Sequence, residues 1–214
     1  MEICDDNFNR PILTRSQVQY IVNDYYSNIK SKQVTVGKEY TSTKIKWQPP
    51  NRYWVKLNSD GANSYGYVAG YRGIIRDDRG GCKGGFSKFL GNCSTEKAEL
   101  WGIFAGLSLA KDLGCNKVEV NMDFIKTIEM IKSGKDMNMD SYTLVKQIME
   151  LMRWFKDIKL VHTFREANRC VDALAKFGAA SGNFSLFEHE VPTFIKHLLE
   201  TNWLGTSIVR RTLL

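Results

Sequence analysis

Tyr53-Trp54-Val55-Lys56-Leu57-Asn58-Ser59-Asp60-Gly61 is the stretch on which the fold turns. Val55 and Leu57 alternate with Lys56 and Asn58, the period of two that sends apolar side chains to one face of a strand. The strand ends on a carboxylate followed by a glycine. Two further strand patterns lie close behind it, residues 66–77 with Ile74-Ile75 at their centre and residues 82–90. Asp78-Arg79-Gly80-Gly81 between them has the composition of a hairpin turn. Three strands joined by short loops predict an antiparallel meander.

The periodicity then becomes helical. Ser94 offers an N-cap, and Leu100, Ile103, Phe104, Leu107 and Ala110 recur at spacings of three and four, one buried helix face closed by Gly114. Val118, Val120 and Met122 alternate in a strand over 117–122, with Asp123 just after it. Short helical patterns follow at 124–133 and 140–155, then a fifth strand at 158–162 and a polar loop at 163–168. Val171, Leu174, Ala175 and Phe177 mark a last helix that ends near Gly182. The order β-β-β-α-β-α-α-β-α predicts an α/β fold, a five-stranded mixed sheet flanked by helices.

Outside this core the signals weaken. Trp47-Gln48-Pro49-Pro50 forbids helix and suggests a domain boundary. Residues 1–50 then read as an N-terminal extension, with an amphipathic helix around Val18–Tyr26 and a polar, linker-like stretch Ser31–Lys46. Residues 51–181 read as the domain, and 182–214 as a C-terminal tail with a helix over Val191–Glu200.

Composition narrows the classes. With 214 residues, 43% hydrophobic and 25% charged, the chain is neither disordered nor fibrous. No stretch approaches the ~20 apolar residues of a membrane span, and the acidic start MEICDDNFNR lacks the pattern of a secretory signal. Five cysteines, an odd number with no C-x-x-C pair, fit reduced thiols. The expectation is an intracellular protein of nucleus or cytoplasm, not secreted. The net charge is +7. The domain segment carries 20 basic against 15 acidic residues, and so holds most of an excess that permits a polyanionic partner without proving one.

Four carboxylates stand out by position. Asp60 ends the first strand, Asp123 ends the fourth, Glu99 lies one turn inside the first long helix and Asp172 lies in the first turn of the last. Strand ends and helix starts can converge on one edge of a sheet. Carboxylates so gathered repel unless a cation neutralises them. Oxygen ligands select hard ions such as Mg²⁺ or Mn²⁺, and a pair of such ions can clamp the attacking and leaving oxygens of a phosphodiester. Each acid also has an ordinary reading: Asp60 as a turn residue, Asp123 as a helix cap, Glu99 as a solvated helix residue, and Asp172 as a partner of the helix dipole.

Their surroundings point further. Leu57-Asn58-Ser59-Asp60-Gly61-Ala62, Ala98-Glu99-Leu100, Met122-Asp123 and Arg165-Glu166-Ala167-Asn168-Arg169-Cys170-Val171-Asp172-Ala173-Leu174-Ala175 occur in this order. Together they resemble the ribonuclease H family, most closely the reverse-transcriptase-associated domains of plant non-LTR retroelements. The resemblance covers about residues 47–181. It implies a ribonuclease H-like fold and a metal-dependent endonuclease that hydrolyses the RNA strand of RNA–DNA hybrids. It implies two Mg²⁺ ions, with Mn²⁺ an alternative, held by Asp60, Glu99, Asp123 and Asp172. By the same resemblance His162 aids proton transfer or product release; its ordinary reading is a strand-end histidine. Gly61, Ala62 and Glu99 would read 2′-hydroxyls, which DNA lacks. Ser94 and Thr95 would contact a phosphate of the DNA strand, or simply cap the helix, and Asn168 would orient Asp172 or cap its own helix.

Two departures favour an alternative, a catalytically weak or inactive retroelement-derived module that binds nucleic acid. Phe124 stands after Asp123 where many relatives have Ser or Thr. The interval from Asp123 to Asp172 has no dense basic cluster, only scattered lysines such as Lys132, Lys135 and Lys146. Tails that dock a protein partner are a third reading, and no partner can be named.

Overall fold

The computed structural model describes residues 40–64, 68–134, 139–168, 170–171, 174, 185–188, 193–203 and 208–213. Asp172 and the helix expected around residues 18–26 lie outside the described residues.

Strand β1 (Tyr40–Ile45) precedes the meander β2 (Val55–Ser64), β3 (Val68–Arg76) and β4 (Cys82–Gly91). The turn after β3 is built by Asp77, whose carboxylate accepts the backbone N–H groups of Arg79 and Gly81. Helix α1 (Thr95–Asp112) follows, capped by Ser94, whose hydroxyl accepts the Lys97 N–H at 3.2 Å. Next come β5 (Lys117–Met122), α2 (Ile125–Ser133), α3 (Met139–Met152) and β6 (Asp157–His162). The chain continues through a 3₁₀ turn (Arg165–Ala167), helical residues at 170, 171 and 174, β7 (Ser185–Glu188), α4 (Thr193–Trp203) and β8 (Ile208–Leu213).

The main sheet runs β6-β5-β2-β3-β4-β7. The β2-β3 and β3-β4 pairs are antiparallel, and β2-β5 and β5-β6 are parallel, as strands joined across helices should be. The five-stranded mixed sheet read from the sequence is present, with the expected alternation of strands and helices. Beyond it, β7, from the stretch read as a tail, adds a sixth strand against β4. A separate two-stranded ribbon pairs β1 with β8, and β1 falls inside the stretch whose composition suggests a linker.

The core lies between the sheet and α1, α2 and α3. Leu57, Val118, Val120 and Met122 of the sheet meet Leu100, Ile103, Leu107, Val145 and Ile148, all fully buried. On the opposite face of β2 the side chains are polar and organised. The Arg76 guanidinium is buried over the Trp47 ring at 3.7 Å and donates to Asn58 Oδ1, which also accepts the Trp47 indole N–H. Lys56 bridges Glu119 and the carbonyl of Gln48. Trp47 is therefore packed onto the sheet rather than left on a connecting arm. Cys82, Cys93, Cys115 and Cys170 are free thiols, and among the described residues no helix is long and apolar enough to cross a membrane.

Candidate metal centre at the sheet edge

The parallel β2-β5 register pairs Asn58 with Asn121. Two residues onward along both chains stand Asp60 and Asp123, on the same face and at the same edge. Glu99 reaches them because α1 crosses β2 with almost no clearance. A Cβ placed on Gly61 would lie 2.1 Å from the Glu99 backbone nitrogen and 2.3 Å from the Ala98 carbonyl carbon. Only glycine permits that approach. Asp60, Glu99 and Asp123 each then offer a carboxylate oxygen within 4.8 Å of the others.

The ordinary readings of the acids are testable against this geometry. Asp123 does not cap α2: the cap position is Phe124, which makes no side-chain cap bond. Glu99 is not solvated but 2% exposed. Asp60 lies inside β2 and is buried, so it is no turn residue. Asn168 is buried and donates from Nδ2 to the Ser59 carbonyl at 3.1 Å, which ties the loop before the helical residues 170 and 171 to β2. Gly61 gives its N–H to the Glu99 carboxylate, and Ala62 follows, half-buried, in β2. Ser94 and Thr95 are exposed at the start of α1, the Ser94 hydroxyl engaged in capping. His162 ends β6, exposed, with its ring edge-on to Phe164 at 5.6 Å; the three-carboxylate group does not include it. The N–H of the next residue, Thr163, donates to the Met122 carbonyl, next to Asp123 in the chain.

Electrostatically the cluster is under load. Burial, then the charges of Asp60 and Asp123, push the Glu99 carboxyl from its ordinary 4.5 up to about 9, against the pull of the Gly61 N–H and of Arg72. Asp123 is raised by burial and by Asp60, and lowered by Arg165, its own N–H and Arg72. Without a cation the cluster must retain protons. Glu99 Oε2 is buried with no hydrogen-bond donor among the described residues. The 4.8 Å spread is close to the roughly 4.2 Å that separates opposite oxygens around a small hard cation. An all-oxygen donor set, an unpartnered buried oxygen and raised carboxyls together fit a divalent ion.

Sequence reading missed one member of the site. Arg72 of β3 faces Asp60 directly across the antiparallel register and forms a buried ion pair with it. The alternation around Tyr71-Arg72-Gly73 shows which face Arg72 takes. Its partner depends on the β2-β3 register, which the intervening loop does not announce.

A meander extended by two parallel strands, with acids from β2, from α1 and from just after β5 at one edge, defines a protein of the ribonuclease H fold class. The chain belongs to the ribonuclease H family: the profile of the family described as reverse transcriptase-like matches residues 58–178. A provisionally named ribonuclease H protein of Arabidopsis thaliana is 32% identical over 97% of this chain, and the chain spans about a third (34%) of that relative's length. Among solved structures, ribonuclease H1 of Halobacterium salinarum is similar with a TM-score of 0.56 at 24% identity, covering 60% of this chain and 98% of its own. The N-terminal ribonuclease H domain of a Mycobacterium tuberculosis protein has a TM-score of 0.56 at 25% identity, covering 60% and 95%. A compost metagenomic ribonuclease H1 solved in complex with an RNA/DNA hybrid has a TM-score of 0.53 at 20% identity, covering 59% and 99%.

Proposed function

We propose that this chain is a divalent-metal-dependent endoribonuclease that hydrolyses the RNA strand of RNA–DNA hybrids. The observation that carries the reading is the mutual reach of Asp60, Glu99 and Asp123 at the edge of a ribonuclease H sheet. These three, with Asp172, would hold the ions, Mg²⁺ in the first instance and Mn²⁺ as a substitute. Bound divalent ions supply Lewis-acid stabilisation of the charge that develops on the phosphodiester oxygens.

The chain's own residues do the rest. Gly61 holds α1 against β2 and fixes Glu99 with its N–H. Asn168 anchors the loop that leads to Asp172. The edge of β2 after Asp60 and the start of α1 offer backbone groups and the Thr95 hydroxyl to the sugar–phosphate chains. Contacts of this kind tell RNA from DNA by the 2′-hydroxyl and leave base identity unread.

Cleavage of a labelled hybrid in Mg²⁺ tests the reading. The intact chain should cut, leaving 5′-phosphate and 3′-hydroxyl ends, and Asp60→Asn should lose on the order of 100-fold or more in rate. No cleavage by the intact chain, or equal cleavage by the variant, overturns it. A second reading, a nucleic-acid-binding module of low turnover, is favoured by the Arg72 ion pair on Asp60. In that case hybrid binds at low salt and no product forms.

A further inference from the structure

Arg72 sits where a ribonuclease centre should be most receptive to metal. Its side chain is 10% exposed and that of Asp60 8%, so the pair is closed off from solvent on the face that β2 and β3 share. The contact is dictated by register rather than by a flexible reach: Asp60 and Arg72 are direct cross-strand partners on the two central strands, β2 and β3. The guanidinium charge also acts on Glu99 and Asp123, so all three acids feel it. The Arg72 Nε–H has no acceptor among the described residues, which leaves the guanidinium held through its Asp60 contact rather than locked by a full set of bonds.

We propose that Arg72 is a resident cation of the carboxylate site, a positioning residue that competes with divalent ions for Asp60 and reduces how many the site takes up. The inference rests on the reading of the acids as metal ligands. The four ionised carboxylates of the proposed site, Asp172 included, and one guanidinium leave three negative charges, enough to balance one divalent ion but not two. A second ion requires Arg72 to release Asp60. The guanidinium cannot lose its proton to make room, so release means physical displacement. Arg72 thereby holds Asp60 in place while metal is scarce, and raises the ion concentration at which the site fills.

Mn²⁺ titration followed by calorimetry, without substrate, compares the intact chain with Arg72→Gln and Arg72→Lys. Arg72→Gln should bind the first Mn²⁺ about tenfold or more tighter, and should take up a second ion over the range where the intact chain takes one. Arg72→Lys, which keeps the charge, should stay near the intact chain. Equal or weaker binding by Arg72→Gln overturns the proposal. A measurement on the intact chain guards against a variant that fails to fold: the ¹⁵N signals of the Arg72 guanidinium should shift and their rotation quicken as Mg²⁺ is added. Signals unchanged at saturating Mg²⁺ overturn the proposal. Absence of ion binding by every chain overturns the metal reading, and this inference with it. Equal affinity in the intact chain and Arg72→Gln removes the role of Arg72 alone.

Discussion

Glu99 couples the site to the stability of the fold. Its carboxyl ionises near 9 in the folded metal-free chain, against an ordinary 4.5. Between those values the folded chain keeps a proton that the unfolded chain has lost. Its stability therefore falls as pH rises from about 4.5 towards about 9, and the raised Asp123 carboxyl acts in the same direction. Urea midpoints at pH 5, 7 and 9 in EDTA should decline in the intact chain and decline distinctly less in Glu99→Gln. A divalent ion should reverse the trend, because it binds the deprotonated cluster. Equal slopes in the two chains would contradict the placement of Glu99. At this scale three of the acids that the structure brings together were legible in the sequence, each punctuated by a local signal: Asp60 by Gly61, Glu99 by the cap at Ser94, Asp123 by the end of an alternating strand. Arg72 carries no such punctuation. Its meaning lies in a cross-strand register, which is a non-local quantity.

The elements that place the site meet at Gly61. Because α1 lies on the β2 backbone there, a single methyl group has nowhere to go but into the helix. Gly61→Ala should cost about 2 kcal/mol of stability, read from the urea midpoint, and should weaken Mn²⁺ binding as α1 lifts Glu99 away from Asp60. An unaltered midpoint would show that helix and strand have more room than the structure gives them. The core strands and α1 were readable in the sequence because their faces differ in polarity. The β1-β8 ribbon was not. Residues 41–44 are exposed throughout, so neither face of β1 is apolar and no period of two is written into Thr41-Ser42-Thr43-Lys44. In the sequence Trp47 reads as punctuation before two prolines and as the start of the stretch that carries the family resemblance, not as a core residue. Its burial depends on Arg76 and Asn58, which lie elsewhere in the chain.

Across the molecule, basic side chains from outside residues 51–181 gather at one cleft. A cleft of about 510 Å³ opens between β1 and the end of β6, lined by Lys44, Lys46, Gln48, His162 and Phe164 among others. Arg210 of β8 stacks on Phe164 at 4.5 Å and pairs with Glu166 beside it. The interval between Asp123 and Asp172 has no dense basic cluster, whereas Lys44 of β1 and Lys46 just after it both line this cleft. Lys44→Ala with Lys46→Ala should weaken hybrid binding and lower the salt slope by about 2, one per phosphate contact removed. Fluorescence anisotropy in EDTA at several salt concentrations reads this without any cleavage, and an unchanged slope would exclude the cleft from the nucleic-acid path.

The same ribbon has a mechanical meaning. Tyr40 pairs with Leu213 and Ile45 with Ile208, so the two strands run antiparallel with their outer ends side by side. Tension applied through residue 40 and residue 213 would peel the ribbon open one pair at a time, starting at its outermost bonds, rather than shear all of them at once. The six-stranded sheet would bear no load until that zipper had opened. The ribbon is therefore a fuse: a pull on the two flanks would spend itself on β1 and β8 while the strands that carry the acids stayed in register.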